Sequence, residues 1–241
     1  KSFEKALTIK PDYAEVHYNL GVTLQELGQL DAAVKSYEKA LAIKPDYADA
    51  YINLGITLKK LGQLDEAVKS YKKAIAIKPD YAEAHNNLGN TLDDLGQLDA
   101  AVKSFEKALA IKPDFAEAHN NLGNIYKDLG LLNDAIESYE WAISYGPEYA
   151  IAHMNLASIY SSYDLEKALQ HYQKAISIEP NFPEAHYSLG TVYSSLGQKD
   201  ESMKSYEKAL EIKPDYAEAH NALSTIKKYI KNDPQIKQMK T

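Results

Sequence analysis

Seven prolines recur along this chain at a nearly fixed interval. The interval is 34 residues at every step but one, where it is 33. These prolines are Pro11, Pro45, Pro79, Pro113, Pro147, Pro180 and Pro214. A period of this size is typical of a solenoid, in which each unit is too small to bury its own apolar face and depends on its neighbours. The sequence therefore predicts a repeat array whose function lies on a surface shared by several units.

Composition argues against several classes of function. The 241 residues carry a net charge of −7 and contain no arginine, so we expect no nucleic-acid partner. Cysteine is absent, which excludes a disulfide framework and a thiolate metal site. Because no apolar run has the length of a bilayer span, we expect no membrane partner and predict a cytoplasmic location.

One period illustrates the helix hairpin that we predict for all of them. Between Ala48 and Tyr81, a first apolar stripe follows the i, i+3, i+4, i+7 spacing of a helix face. The stripe consists of Tyr51, Leu54, Gly55 and Leu58. After a break at Gly62, Asp65 is the predicted N-cap of a second helix that ends before Pro79. Each period is therefore predicted to be two helices joined by a short turn.

The junction between periods, Pro-Asp-Tyr-Ala-Glu, predicts the start of the next hairpin. Its aspartate is the expected N-cap, with a carboxylate three residues later in capping-box register. The expected N-caps are Asp12, Asp46, Asp80, Asp114 and Asp215. The expected capping-box partners are Glu15, Asp49, Glu83, Glu117 and Glu218.

Small and aromatic residues recur at matched positions of the two helices. The small residues of the first helix are Gly21, Gly55, Gly89, Gly123, Ala157 and Gly190. The aromatic residues of the second helix are Tyr37, Tyr71, Phe105, Tyr139, Tyr172 and Tyr206. We predict that the small residues allow close helix approach, and that the rings form the core between successive hairpins instead of stacking on nucleic-acid bases.

This pattern of a small residue after Leu, then Ala, an aromatic residue, Ala and Pro resembles the tetratricopeptide repeat, which has a period of 34 residues. The resemblance implies an all-α, right-handed superhelical solenoid of antiparallel helix hairpins, with first helices lining a concave groove. It covers six units, namely residues 14–47, 48–81, 82–115, 116–149, 150–182 and 183–216. Residues 1–13 match the second half of a truncated repeat, residues 217–231 a C-terminal capping helix, and residues 232–241 a polar tail.

One departure from the family pattern is systematic, because histidine or tyrosine occupies the position where the family has tryptophan. These residues are His17, Tyr51, His85, His119, His153 and His186. Equivalent positions on packed helices lie about 8–10 Å apart, too far for one zinc ion with ligands at about 2 Å, so we interpret them as packing residues. No phosphate-binding loop or nucleophile constellation is present. We therefore predict no catalytic residue, no metal and no cofactor, and a chain that is not an enzyme.

A row of asparagines indicates where a ligand would bind. Asn19, Asn53, Asn87, Asn121 and Asn155 recur at a strict interval of 34 residues on the predicted polar face of the first helices. Asn86, Asn90, Asn120 and Asn124 widen this polar platform. A side-chain amide can form hydrogen bonds with a peptide backbone whatever the side chains of the peptide are. The row is similar to the asparagine ladder of O-linked N-acetylglucosamine transferase-like proteins, which implies a protein or peptide ligand in extended conformation.

Three other interpretations of the array stay open. Recent duplication of repeats also copies asparagines that have no function. The array could instead be the substrate-recruiting region of a larger glycosyltransferase or sulfotransferase, or an assembly scaffold that uses repeat ends and its convex surface.

Phe3 and its neighbours lack a partner helix, which predicts self-association through the exposed repeat end.

One unit departs from the period. Residues 150–182 are one residue short, which we interpret as a deletion between the two helices. The segment Ser161–Asp164 replaces the glycine turn found in the other units, and the capping box fails at Glu148 and Ile151. We predict that this unit is the weakest joint of the array and the first to open.

Overall fold

The computed structural model describes residues 13–232, and this part of the chain forms thirteen α-helices and no strand. The first seven are α1 (Ala14–Glu26), α2 (Leu30–Ile43), α3 (Ala48–Lys60), α4 (Leu64–Ile77), α5 (Ala82–Asp94), α6 (Leu98–Ile111) and α7 (Ala116–Asp128). The others are α8 (Leu132–Tyr145), α9 (Ala150–Tyr160), α10 (Leu165–Ile178), α11 (Pro183–Ser195), α12 (Lys199–Ile212) and α13 (Ala217–Asn232). The predicted half repeat, apart from Tyr13, and the predicted tail after Asn232 lie outside the described residues.

The first compact unit of the chain ends at Ile125. In it α1 packs on α2, α3 on α4 and α5 on α6, which are the predicted antiparallel hairpins. Successive hairpins join because α2 also packs on α3, and α4 on α5. The first helices contact each other as well, α1 with α3 and α3 with α5, so they form one continuous surface.

The second compact unit begins at Tyr126 and repeats this arrangement. Here α9 packs on α10 and α11 on α12, while α8 contacts α9, α10 contacts α11, and α12 contacts α13. Its main core cluster includes Tyr139, Leu156, Tyr172 and Val192. The all-α solenoid of helix hairpins predicted from the sequence is therefore confirmed, and its core is distributed along the hairpins.

The recurring aromatic residues are core residues, as predicted, since each of them is at most 3% exposed. As predicted, Tyr139 shares one core cluster with Leu156 of the next hairpin. The rings also pack within their own hairpin. A Cβ atom built on Gly89 would lie 2.7 Å from Cε1 of Phe105, in the second helix of the same hairpin. The ring therefore packs against the small residue of its own hairpin, and the absence of a Cβ lets the two helices approach closely.

The predicted aspartate caps are wrong for the junctions that the structure describes. Asp46, Asp80, Asp114 and Asp215 each lie two residues before their helix begins. The N-cap position belongs to aromatic residues such as Tyr47 and Tyr81, and their side chains make no cap hydrogen bond. Asp65 likewise lies in the first turn of α4, whose N-cap is Gln63. An aspartate placed one residue before the N-cap is out of position for the free N–H groups of the first turn, which explains the difference.

The turns inside the regular hairpins contain glycine for a backbone reason. Gly28, Gly62, Gly96, Gly130 and Gly197 have φ between 70° and 76°, in the left-handed region.

Among the helices in the described part of the chain, none combines the length and apolar character that crossing a bilayer requires.

Candidate functional site

The predicted asparagine row is only partly exposed. In the first unit, Asn19 is exposed on α1, whereas Asn53, Asn87 and Asn121 are half-buried on α3, α5 and α7. These positions face the surface that the first helices share. The row is therefore in place on successive first helices, but its amides contact neighbouring repeats to different degrees.

Two of these amides are already engaged in hydrogen bonds. The Nδ2 atom of Asn53 donates to the hydroxyl of Tyr18 at 2.8 Å, and Nδ2 of Asn121 donates to Oδ1 of Asn86 at 3.2 Å. In both cases the acceptor lies 35 residues earlier in the sequence. Each amide keeps a second N–H and its carbonyl oxygen for another partner. These two asparagines therefore join adjacent repeats in addition to facing the shared surface.

Asn87 differs from its two neighbours in the row. The residue 35 positions before it is Ile52, which offers no side-chain acceptor. Among the described residues, the Asn87 side chain makes no hydrogen bond. Its complete amide is therefore available to a ligand.

The expectation of an exposed platform is wrong for three of the asparagines. Asn86 and Asn120 are each only 2% exposed, and Asn155, in the second unit, is 7% exposed. The amide of Asn86 is hydrogen-bonded inside the protein, because Nδ2 donates to Oε1 of Glu117 at 3.0 Å. Asn90 and Asn124 are half-buried. The helix wheel placed these side chains on a polar face, but packing against the next repeat covers part of that face.

A cavity of about 340 Å³ lies on the first helices of the first unit and brings three of the predicted residues together. Asn53, Asn86 and Asn87 line it, and the other predicted asparagines do not. The remaining lining residues are Tyr18, Asp49, Ile52, Ile56, Tyr81, Glu83, Phe115 and Glu117. The cavity thus draws on α1, α3, α5 and α7, with Tyr81 and Phe115 at the junctions.

For most of these lining residues the sequence predicts another role. The sequence pattern predicts that Asp49, Glu83 and Glu117 are capping-box partners, and it places Tyr81 and Phe115 at the ends of predicted units. The signal that could have found them is the same 34-residue period that marks the asparagines. Once the capping box is absent, the recurrence of a carboxylate at this position in the other repeats needs a different explanation.

Two of the three carboxylates that line the cavity accept hydrogen bonds from neutral donors. The hydroxyl of Tyr81 donates to Oδ1 of Asp49 at 2.7 Å, and Glu117 accepts from Asn86 as described above. Burial raises the pKa of the Tyr81 hydroxyl, and its hydrogen bond to Asp49 raises it further. The phenol therefore stays protonated and keeps donating through the physiological pH range.

The histidines of the repeat positions have a structural role. Nε2 of His85, His119, His186 and His220 lies 2.8–3.1 Å from the carbonyl oxygen of the proline six residues earlier. The imidazole N–H thus ties the first helix to the junction before it. Within residues 13–232 no group of three or more His, Cys, Asp or Glu residues is placed to hold a metal ion.

A second histidine arrangement was not foreseen from the sequence. Nδ1 of His153, on α9, lies 2.9 Å from Nδ1 of His171, on α10. The His171 ring also stacks on Tyr160, with centroids 5.8 Å apart and an angle of 18° between the planes. Burial lowers the pKa of both imidazoles, and for His171 the charges of His153 and Lys167 lower it further.

Comparison with known families agrees with this architecture. One family model, described as TPR repeat, matches residues 1–28, 24–62, 57–96, 92–130 and 164–197. A second, described as Tetratricopeptide repeat, matches residues 116–149 and 183–216. The chain belongs to the tetratricopeptide repeat family, whose members are typically protein-interaction modules. No curated protein sequence matches it.

Several solved structures share the fold. A crystal structure of the APC/C hetero-tetramer Cut9-Hcn1 aligns with a TM-score of 0.80 over 93% of this chain and 45% of that chain, at 17% identity, so this likeness shows the fold alone. The present chain spans less than half of that relative. MamA is 32% identical over 70% of this chain and 93% of that chain, with a TM-score of 0.58. YrrB, described as a TPR protein with an unusual peptide-binding site, is 25% identical over 78% of this chain and 97% of that chain, with a TM-score of 0.59.

Proposed function

We propose that this chain is a binding module for extended polypeptide, and that the first helices of residues 13–125 hold the ligand backbone through asparagine amides. The observation that carries the proposal is the cavity next to Asn87, whose amide has no hydrogen bond to another described residue. A side-chain amide offers both a donor and an acceptor, which is the pair that a backbone peptide group requires. Asn53 and Asn121, on the adjacent first helices, keep one N–H and one oxygen each for the same purpose.

The dimensions of the surface suit an extended ligand. Packed helices lie about 8–10 Å apart, and an extended chain advances about 3.3 Å per residue. A peptide crossing the first helices would therefore meet one repeat for about every third residue. The peptide-binding site described for YrrB supports a peptide as the ligand of such an array.

The proposal includes the absence of catalysis by this chain. A role as the substrate-recruiting region of a larger transferase is compatible with the same groove. A role as an assembly scaffold is not compatible with it, because a scaffold would bind through repeat ends and outer faces. Substitutions in the groove would then leave binding unchanged. Self-association through the repeat end and a cytoplasmic location stay predictions.

The test uses unstructured synthetic peptides of about 12 residues, long enough in extended form to pass several first helices. The peptides are screened on an array, and the strongest binder is titrated into the isotopically labelled full chain. We expect the Nδ2 proton signals of Asn87 to shift on binding. We expect Asn87→Ala to weaken binding by about two- to tenfold, the value of one hydrogen bond, with a change in stability within about 0.5 kcal/mol.

The matched control is Asn133→Ala, which makes the same chemical change at an exposed position on α8, outside the cavity. It should leave both affinity and melting temperature unchanged. Equal affinities of the wild type and the Asn87→Ala variant for every binding peptide would refute the role of the asparagines and favour the scaffold.

A further inference from the structure

The cavity beside Asn87 has a chemical bias that the asparagines alone do not give. Three carboxylates line it, from Asp49, Glu83 and Glu117, and no lysine does. In the described part of the chain, none of the three forms an ion pair. Asp49 and Glu117 accept only from a phenol and an amide, so their charges are not neutralised.

The aromatic rings of the cavity already accept cations within the molecule. The ammonium of Lys78 lies 4.2 Å from the centroid of the Tyr81 ring, and that of Lys112 lies 4.9 Å from the centroid of Phe115. These distances are typical of cation–π contacts. Both rings are therefore suited to cation–π contact, and in this structure a lysine of the chain lies over each of them.

These two lysines reduce the negative potential but do not remove it. They are not among the residues that line the cavity. Their two positive charges are fewer than the three negative charges of the lining carboxylates. Glu83 and Asn87 belong to the same helix, α5, and both line the cavity, so a ligand whose backbone is held at Asn87 can place a side chain near Glu83.

We propose that the cavity selects the ligand by taking one lysine or arginine side chain of the extended polypeptide. The aliphatic stem would lie against Ile52, Ile56 and the aromatic rings, and the cationic head would lie among the carboxylates, as long basic side chains commonly do. The cavity volume, at the low end of about 300–1,000 Å³ for ligand pockets, suits one or two side chains. This inference rests on the proposed function and adds the charge of the ligand to it.

The test compares five peptides with the same uncharged Gly-Ser-Ala sequence and a central residue that is lysine, arginine, acetyl-lysine, norleucine or glutamate. Dissociation constants are measured by titrating each peptide into the labelled full chain. We expect the lysine and arginine peptides to bind about two- to fivefold more tightly than the norleucine and acetyl-lysine peptides, as for one exposed ion pair. The glutamate peptide should bind most weakly, and added salt should reduce the differences.

The variant Glu83→Gln keeps the shape of the cavity and removes one of its charges. It should reduce the preference for lysine over norleucine toward one. Glu106→Gln is the matched control, because Glu106 is exposed on α6 and does not line the cavity, yet the net charge changes by the same amount. The control should keep the wild-type preference.

The two proposals fail in different ways. If Asn87→Ala weakens the binding of all five peptides equally and the wild type does not bind the lysine peptide more tightly, the charge inference is overturned and the proposed function stands. If Glu83→Gln abolishes a lysine preference while Asn87→Ala has no effect, the cavity is supported and the asparagine hypothesis is refuted. If no peptide of either set binds, both proposals are overturned.

Discussion

Two connections in the second unit close a helix hairpin in different ways. Between α11 and α12, Gly197 has φ of 73°, and the N–H of Gln198 donates to the carbonyl of Tyr193 at 2.9 Å. Between α9 and α10 there is no glycine. There the N–H of Asp164 donates to the carbonyl of Tyr160 at 2.7 Å, and the Asp164 carboxylate accepts from the N–H of Lys167 at 3.0 Å. A left-handed residue in one connection and a side-chain cap in the other thus close the same kind of hairpin.

The comparison also locates the missing residue of the irregular unit. Helix α9 has 11 residues, whereas α11 has 13. The connection after α9 is Ser161–Asp164, one residue longer than the connection at residues 196–198. The prediction of a deletion between the helices is therefore wrong, since the helix has lost two residues and the connection has gained one. Eight residues of α9 are buried, so the shorter helix is nevertheless well packed.

The largest difference that we expect between the two hairpins concerns the small-residue position of the first helix. Gly190 fills it in α11, and Ala157 fills it in α9, where it is fully buried. A Cβ on Gly190 would lie 2.7 Å from Cε1 of Tyr206 and 3.2 Å from the carbonyl oxygen of Ser202. Gly190→Ala should therefore lower the free energy of unfolding by about 1–3 kcal/mol through overpacking, despite the better helix propensity of alanine.

The measurement is urea unfolding followed by the fluorescence of Trp141, the one tryptophan of the chain, which lies in the second unit. The reciprocal variant Ala157→Gly is the control, and it should cost about 0.5–1 kcal/mol through the entropy of glycine in a helix. A neutral or stabilising Gly190→Ala would mean that Tyr206 can move away at no cost, and that the two hairpins are equally tolerant.

A smaller effect is expected from removing the cap of the irregular connection. Asp164→Ala should cost about 1 kcal/mol, the usual value of an N-cap, because the N–H of Lys167 loses its acceptor. Asp200→Ala is the control, since Asp200 lies in the first turn of α12 without being its N-cap, and it should cost less than about 0.5 kcal/mol. Native-state hydrogen exchange measures both, and in Asp164→Ala the amides of residues 161–167 should be the first to open. Equal losses in the two variants would contradict a specific role for the cap.

Two of the features from which we predicted that the unit at residues 150–182 is the weakest joint are not defects in the structure. The failed capping box at Glu148 and Ile151 is no defect, because the described regular junctions, such as those at Tyr47 and Tyr81, make no side-chain cap either. The missing glycine is replaced by Asp164, whose capping role depends on where α9 ends. Helix ends are poorly fixed by sequence patterns, so this compensation could not be predicted. Earlier opening of residues 158–164 stays a prediction that the exchange experiment tests.

The fold and the binding surface differ in how far the sequence could predict them. The period, the glycine turns and the buried aromatic residues follow from local patterns, and the structure confirms all three. Burial of Asn86 and Asn155 depends on the neighbouring helix, which a helix wheel does not contain. The carboxylates of Asp49, Glu83 and Glu117 were visible, but their lining of a cavity depends on the approach of three first helices. Pairing of His153 with His171 likewise depends on the register of α9 against α10.

The smallest expected effect is a pH dependence confined to the irregular hairpin. The hydrogen bond between the two Nδ1 atoms requires one ring to donate and the other to accept, so a doubly protonated pair cannot form it. Other charged or titratable groups that act on the pair are Lys167, Lys174 and Glu148, with Tyr160 stacked on His171.

Since the pKa values of both imidazoles are lowered in the folded chain, the unfolded chain binds protons at a higher pH than the folded chain does. The stabilisation is therefore complete above the ordinary histidine value of about 6.5 and is lost as the pH falls below it. We expect the Trp141 transition to shift to lower temperature between about pH 7.5 and pH 5.5. His171→Phe, which keeps a ring against Tyr160 but cannot take up a proton, should shift less over the same interval. Identical shifts in the wild type and in His171→Phe would show that the pair does not control the stability of this hairpin.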